Sequence, residues 1–478
     1  MTASSTDALA YLSFVDAAKR IRAKDLSPVE YCESLLRRIE AINPSLDAFL
    51  EVTSEQAMME ARAAAEAVER GESLGPMHGV PFALKDIIDA AGLPTTAHSK
   101  ILAENVAVTD AHVTERLRAA GAILLGKLST HEFAFGGPCF DLPWPPARNP
   151  WDRRMFPGGS SSGSGAAVAA GLVPAALGTD TGGSVRNPAS MCGIVGMKAT
   201  YGRVSRRGVI PLSFSLDHIG PMTRTVEENA ALLNVIAGFD PQDPGSANEA
   251  VPGYLEAVGQ GRAEGLSGLR IGVIRHFYRN DMIAHPAVDA GLEAAIEVLS
   301  GLGAHIEEVT TRPLGEFADG NRVILLSEGY AVHERWMQNR PQDYAEMTRQ
   351  KLLPGAFLSA ADYVQGVRNR GGFVAEIDQL LEQADVLLTA SSMDPPFPID
   401  DAEAVARCYP RQARAPFNLT GHPALAVPGG FYEADGQPAL PLSFQLVGRH
   451  FDESTLYRVA AAYEQATGWV DQHPPLEG

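Results

Sequence analysis

Apolar positions along the chain follow two different periods. Ser27-Pro28-Val29-Glu30 predicts a helix start: Ser27 can cap, Pro28 suits the first helical position, and Glu30 sits where a capping-box partner belongs. Val29, Cys32, Leu36 and Ile39 follow at helical spacing. "SEQAMMEARAAAEAVERG" predicts a second helix, rich in Ala and Glu and ended by Gly71. Short apolar runs then take over. "GVPFALKDI" (79–87) predicts a buried strand, and "HVTERLRAAGAILLGKL" (112–128) a helix, a turn and a strand. "SGAAVAAG" (164–171) predicts a small-residue helix and "LVPAALGTD" (172–180) a strand. Further strands are expected at 269–275, 384–391, 423–430 and 442–448. Residues 285–309 predict a helix with Val288, Leu292, Ile296 and Leu299 on one face, then a strand, and 453–468 a closing helix. Alternating strands and helices imply an α/β fold around a large sheet. Residues 311–383 predict helices without a clear strand, an insertion that caps the sheet.

Composition narrows the function classes. A formal net charge of −19 argues against a nucleic-acid footprint and disfavours binding to anionic membranes. Cys32, Cys139, Cys192 and Cys408 form no C-x-x-C, so reduced thiols in a cytoplasmic protein are expected rather than a metal or disulfide framework. The N-terminal stretch has no secretory pattern, and no run of 18 apolar residues predicts a membrane span.

Three local motifs fail on context. "GAILLGKLS" (121–129) nearly matches a phosphate loop, but Leu128 stands where the metal-binding hydroxyl belongs and the intervening residues predict a strand. "GSSSG" (159–163) matches a nucleophile elbow centred on Ser161, yet "RNPWDRRMFP" before it is no strand. The histidines, His98, His131, His218 and His422 among them, show no metal-ligand spacing and read as structural.

Lys85 lies within an otherwise apolar predicted strand. A buried lysine loses its charge more easily, and a neutral amine is a good base. Alone, Lys85 also fits a strand-end residue reaching water. "GVPFALKDI", "PGGSSSGSGAAVAAG" and "GTDTGGSVRNPASMCGIVGMKATYGRVS", in this order, resemble the amidase signature family. "LDHIGPMTRTVEENAALL" (216–233), "APFNLTGHPALAVP" and "FQLVGRHFDESTLYRVAAAYEQATGW" extend the resemblance over most of the chain, least clearly at 311–405.

The resemblance implies one domain over 1–478, with N-terminal helices at 1–75, a catalytic core at 76–235 and a variable cap at 311–405. Its expected fold is a single large mixed sheet flanked by helices on both faces. It implies a Ser-cisSer-Lys triad: Lys85 as base, Ser160 as bridging serine with a cis peptide bond before or after it, and Ser184 as nucleophile. Thr181, Gly182 and Gly183, continuing to Ser184, would form the oxyanion hole. Gly159 and Ser161 would support the first serine turn, and Asp180 and Arg186 the second. Neither a metal nor an organic cofactor is expected. One departure is "GKLSTHEFAFGG", with Ser129 and Thr130 where many relatives carry Asn and Met, which leaves pocket shape open.

The expected reaction is C–N hydrolysis through an acyl-enzyme. The substrate reading is a neutral or aryl amide, with carbamates (as in a urethanase) and esters also open. It rests on aromatic and proline-rich "HEFAFGGPCFDLPWPP" (131–146) and "MDPPFPI" (393–399), and on finding no basic cluster in the motifs. The alternative is the amidase component of a tRNA-dependent amidotransferase, from which "SRRGVIPLSFSLDHIGP" departs. Intact triad positions argue against a non-catalytic binding protein. A homodimer is suggested by the resemblance alone.

Overall fold

In the computed structural model, which describes residues 9–72, 74–433 and 438–476, the apolar runs become one sheet. Its strands are β1 (Phe49–Val52), β2 (Pro81–Lys85), β3 (Ile123–Leu128), β4 (Ala175–Asp180), β5 (Val195–Lys198), β6 (His218–Thr223), β7 (Arg270–Val273), β8 (His305–Glu308), β9 (Val386–Ala390), β10 (Ala424–Tyr432) and β11 (Leu440–Val447). They lie in the order β1-β3-β2-β4-β6-β5-β10-β11-β9-β7-β8. β2 runs parallel to both β3 and β4, whereas β4, β5 and β10 meet their later neighbours antiparallel. The sheet is therefore mixed, with helices on both faces. Every residue of β2, β3 and β4 is buried. Strands covered on both faces read as continuous apolar runs rather than alternating ones, which is why these three were legible.

The first predicted helix forms as Pro28–Leu46, with one difference at its start: Ser27 Oγ accepts from the Val29 N–H, without the Glu30 box. Its buried stripe centres on Tyr31, Cys32, Leu35 and Ile39, so Val29 and Leu36 only border the core. The second helix is Ser54–Glu69, after which Gly71 takes φ +67°. Val288, Leu292, Ile296 and Leu299 share the buried face of Pro286–Gly301. Residues 311–383, all of them described, contain the helices Leu314–Asn339, Glu346–Leu352 and Ala360–Gln383 and no strand, as expected. β1, β5 and β6 were not anticipated. The opening residues Met1–Ala8 lie outside the described part. Among the described residues no helix is long and apolar enough to cross a membrane, and the four cysteines are free.

β2 and β4 end side by side and point Lys85 and the residues after Asp180 to the same edge. The helix Ser162–Ala169 returns the chain from the first serine turn to β4. Its residues are all buried and small (Ala166, Ala167, Gly163, Gly165), which lets it lie close to the sheet. Both serine turns thus reach one end of one helix–strand unit.

Candidate active site

Lys85 is fully buried at the end of β2, with Nζ 2.7 Å from Ser160 Oγ and 2.8 Å from Thr179 Oγ1. Burial brings its pKa down to about 7, opposed by the charges of Asp180 and Asp217. Ser160 follows a cis Gly159–Ser160 peptide. A Cβ on Gly159 would strike the His131 ring, and the Gly159 N–H donates to Asn187 Oδ1 at 2.9 Å. The next residue ties the two turns together: the Ser161 N–H donates to the Ser184 carbonyl at 3.2 Å. Ser184 itself is partly exposed, while Ser160, Ser161 and Ser162 are buried. Ser161 Oγ donates to Thr179 O and accepts from the Thr179 N–H, each at 3.2 Å, which occupies the hydroxyl structurally.

Asp180 shapes the second turn. Its carboxylate accepts the N–H groups of Gly183 (2.8 Å), Val185 (3.1 Å) and Arg186 (3.3 Å). Arg186 returns Nε and Nη2 to it at 3.1 and 3.0 Å, and Asn418 adds Nδ2 at 2.8 Å. Burial works against the Asp180 charge, but Arg186 and Asn418 hold its carboxyl well below the usual carboxylate range. Arg186 also reaches Gln445 Oε1 and Arg414 O, so neither member of the pair has a free face toward a substrate. One expected donor is thereby removed: the Gly183 N–H is committed to Asp180. The N–H groups of Thr181, Gly182 and Ser184 donate to no protein group among the described residues.

Ser184 lines a cavity of about 280 Å³ with Gly159, Thr181, Gly182, Gly183 and Asn187. A second cavity, about 460 Å³, shares Ala134, Thr181 and Leu212 with it and extends past Thr179 and Asp217. Burial raises the Asp217 carboxyl to about 6, against hydrogen bonds from Thr181 Oγ1 and the Leu212 and Ser213 N–H groups. The rest of the smaller cavity's lining overturns one expectation. Arg322, Lys351 and Arg414 line the smaller cavity, and among the described residues its lining contains no Asp or Glu. Arg322 and Lys351 come from two separate helices and Arg414 precedes a third, so no local motif announces them. Of the aromatic and proline-rich stretches, Phe135 lines the cavity, but Trp144 and Phe397 do not; Phe397 stacks on Phe156 instead.

Arg414 is the most telling of the three. It is buried against Gly183, where a Cβ would collide with its side chain. Nη1 donates to Ser391 O and Ser392 Oγ, both at 2.7 Å. Among the described residues, Nε has no acceptor and no carboxylate lies within ion-pair distance. Burial and Arg186 bring the Arg414 pKa down to about 9. Lys351 Nζ donates to Gly136 O at 2.6 Å. Neither the unpaired guanidinium nor the clustering of cations carries a sequence signal.

Apart from His422, the rejected motifs resolve as structure. Lys127 of the phosphate-loop look-alike is a buried β3 residue paired with Asp86 at 3.0 Å. His98 contacts Trp144 O, and His218 contacts Leu216 O. Burial holds the His131 imidazole well below its ordinary range.

A family model described as Amidase matches residues 30–457. The chain belongs to the amidase signature family. It is therefore a hydrolase acting on C–N bonds. It is 42% identical to one component of the glutamyl-tRNA(Gln) amidotransferase of Chloroflexus aurantiacus, over 98% of this chain and 99% of the relative. Among solved structures it resembles a chain described with an unexpected vestigial protein complex that reveals the evolutionary origins of an s-triazine catabolic enzyme. That match has 35% identity and a TM-score of 0.89, covering 96% of this chain and 99% of the other. The peptide amidase of Stenotrophomonas maltophilia matches at 31% identity and a TM-score of 0.84, covering 97% and 98%.

Proposed function

We propose that the chain hydrolyses the amide bond of a small substrate that carries a carboxylate, with Ser184 as nucleophile. Neutral Lys85 takes the proton of Ser160, Ser160 takes that of Ser184, and Ser184 Oγ attacks the carbonyl. The N–H groups of Thr181, Gly182 and Ser184 receive the developing oxyanion. The relay returns the proton to the leaving amine, and water then cleaves the acyl-enzyme. Support for the relay lies in the 2.7 Å Lys85–Ser160 contact and in the partly exposed Ser184 beside it.

The observation that carries the substrate reading is Arg414, a buried cation beside the nucleophile turn with no carboxylate partner among the described residues. A buried charge without a partner is costly, and a guanidinium suits a carboxylate. Arg322 and Lys351 add charge of the same sign. The expectation of a neutral or aryl amide lacks this support, and nothing in the lining selects carbamates or esters.

The second reading is a glutamine-hydrolysing component that passes ammonia to a partner. The 42% identity to one component of an amidotransferase favours it. Against it, glutamine carries an α-ammonium, and the described lining of the cavity offers that group no Asp or Glu. The test is kcat/KM for a dicarboxylate monoamide, glutamine and a neutral amide of equal length, in wild type and Arg414→Met. We expect the monoamide to lead. Arg414→Met should lower its kcat/KM about tenfold to a hundredfold, since a hydrogen bond to a charged group contributes about 1.5–3 kcal/mol. The neutral amide should change little. Preference for the neutral amide refutes the proposal, and glutamine turnover that requires a co-purified partner establishes the second reading.

A further inference from the structure

Far along the sequence from the serine turns, three side chains converge that no motif joins. Asp378 lies on the helix Ala360–Gln383, His422 follows the helix Ala415–Thr420, and His450 lies between β11 and the helix Glu453–Thr467. Asp378 Oδ1 is 2.9 Å from His422 Nε2 and 3.6 Å from His450 Nδ1. All three ligand atoms lie within 4.8 Å of one another, and the two imidazole centroids are 3.9 Å apart.

The remaining ring nitrogens decide what this cluster is suited to. His450 Nε2 is 3.2 Å from Thr420 O, a carbonyl that can only accept, so that nitrogen carries the hydrogen. In a neutral ring, His450 Nδ1 then presents a lone pair toward Asp378. His422 Nδ1 is 2.9 Å from Thr420 Oγ1, which can accept from it and leave Nε2 equally free to coordinate. One residue, Thr420, thus orients both rings through the nitrogens turned away from Asp378. Metal-binding histidines are held in this way, by a carbonyl or other oxygen on the second nitrogen.

We propose that Asp378, His422 and His450 form a binding site for a divalent transition-metal ion of the zinc type, separate from the catalytic serines. Two imidazoles and a carboxylate suit such an ion, and tetrahedral ligands at about 2.0–2.1 Å stand about 3.3 Å apart, a value that 2.9 and 3.6 Å bracket. Asp378 is exposed and His450 partly exposed, which gives the ion an entry path and leaves a coordination position for water. The nearby cation, Lys198, donates to His422 O.

The site joins the cap to the core. Asp378 belongs to the cap's last helix, while His422 lies just beyond Asn418, the residue that holds Asp180. An ion there would tether the cap helix to the segment that shapes the nucleophile turn.

The experiment uses the untagged full chain, stripped with a chelator and titrated with Zn²⁺ by calorimetry, with Co²⁺ absorption as a second probe. We expect one ion per chain, tetrahedral Co²⁺ bands, and a higher Tm with Zn²⁺. His450→Ala, at a partly exposed position, and Asp378→Asn, at an exposed one, should each weaken binding at least tenfold and abolish the Tm increase. No stoichiometric binding by the wild type overturns the proposal, whatever the variants do. Binding that both variants retain overturns it equally, since the ion would then sit elsewhere, for instance on a cysteine.

Discussion

Ser160, Ser161 and Ser184 are chemically identical residues with three different environments. Ser161 is saturated by the backbone of Thr179, Ser160 touches Lys85, and Ser184 faces a cavity. In the proposed relay, Ser184→Ala should lower kcat roughly 10⁴-fold or more with a native-like melting curve. A fluorophosphonate should label Ser184, and peptide mapping that places the label on Ser161 would reject the assignment. In the same proposal, Lys85 supplies the pH dependence. Burial lowers its pKa to about 7, so the charged, inactive form dominates below that pH and the neutral base above it. We therefore expect kcat/KM to rise about tenfold per unit below pH 7 and to level above it. A limb near pH 10 would show that Lys85 keeps its ordinary charge and refute the neutral-base reading. Lys85→Arg should not restore activity, because a guanidinium stays charged.

At the scale of elements, the helix–strand unit from Ser162 to Asp180 matters through the turn that follows it. That turn is held by a fully buried Asp180–Arg186 pair rather than by apolar packing. Removing one partner strands the other charge, which costs about 3–5 kcal/mol. Arg186→Met should therefore lower thermal stability and activity together, measured by melting and by turnover. A loss of activity with unchanged stability would mean that Arg186 contacts the substrate instead. Much of this element level was legible in the sequence. β2, β3 and β4 are mostly apolar runs, interrupted only by Lys85, by Lys127 and, at the end of β4, by Thr179 and Asp180, and the serine turns carry their own glycines. β6 was not legible, because Pro221 sits inside it, and proline ordinarily argues against a central strand. β5 is four residues long and carries Gly196. The cavity wall was hidden for a different reason. Arg322, Lys351 and Arg414 are ordinary cations in or beside helices until the fold brings them to one cavity, and only tertiary contacts reveal that Arg414 has no carboxylate partner among the described residues. The Asp378–His422–His450 cluster was hidden likewise, its members lying on separate elements.

For the whole molecule, two fields of opposite sign act on an anionic substrate. The chain carries a formal net charge of −19, whereas the described lining of the smaller cavity holds three basic residues and no acidic one. At long range the net charge repels an anion and slows encounter. At contact, the cavity cations attract it from a partly desolvated surface. Salt acts unequally on the two. The Debye length is about 30 Å at 0.01 M and about 8 Å at 0.15 M, so added salt screens the distant repulsion first. Contacts between a carboxylate and a buried guanidinium are much less affected. If the substrate is anionic, kcat/KM for a dicarboxylate monoamide should rise between about 0.01 and 0.15 M salt, while a neutral amide of equal length stays flat. Measuring both series at fixed pH separates this effect from any change in Lys85 ionisation, which would move both substrates together. A fall for the monoamide would mean that the cavity's own field dominates encounter. A flat response for both would show that no charge on the substrate is felt, and would return the substrate reading to neutral amides.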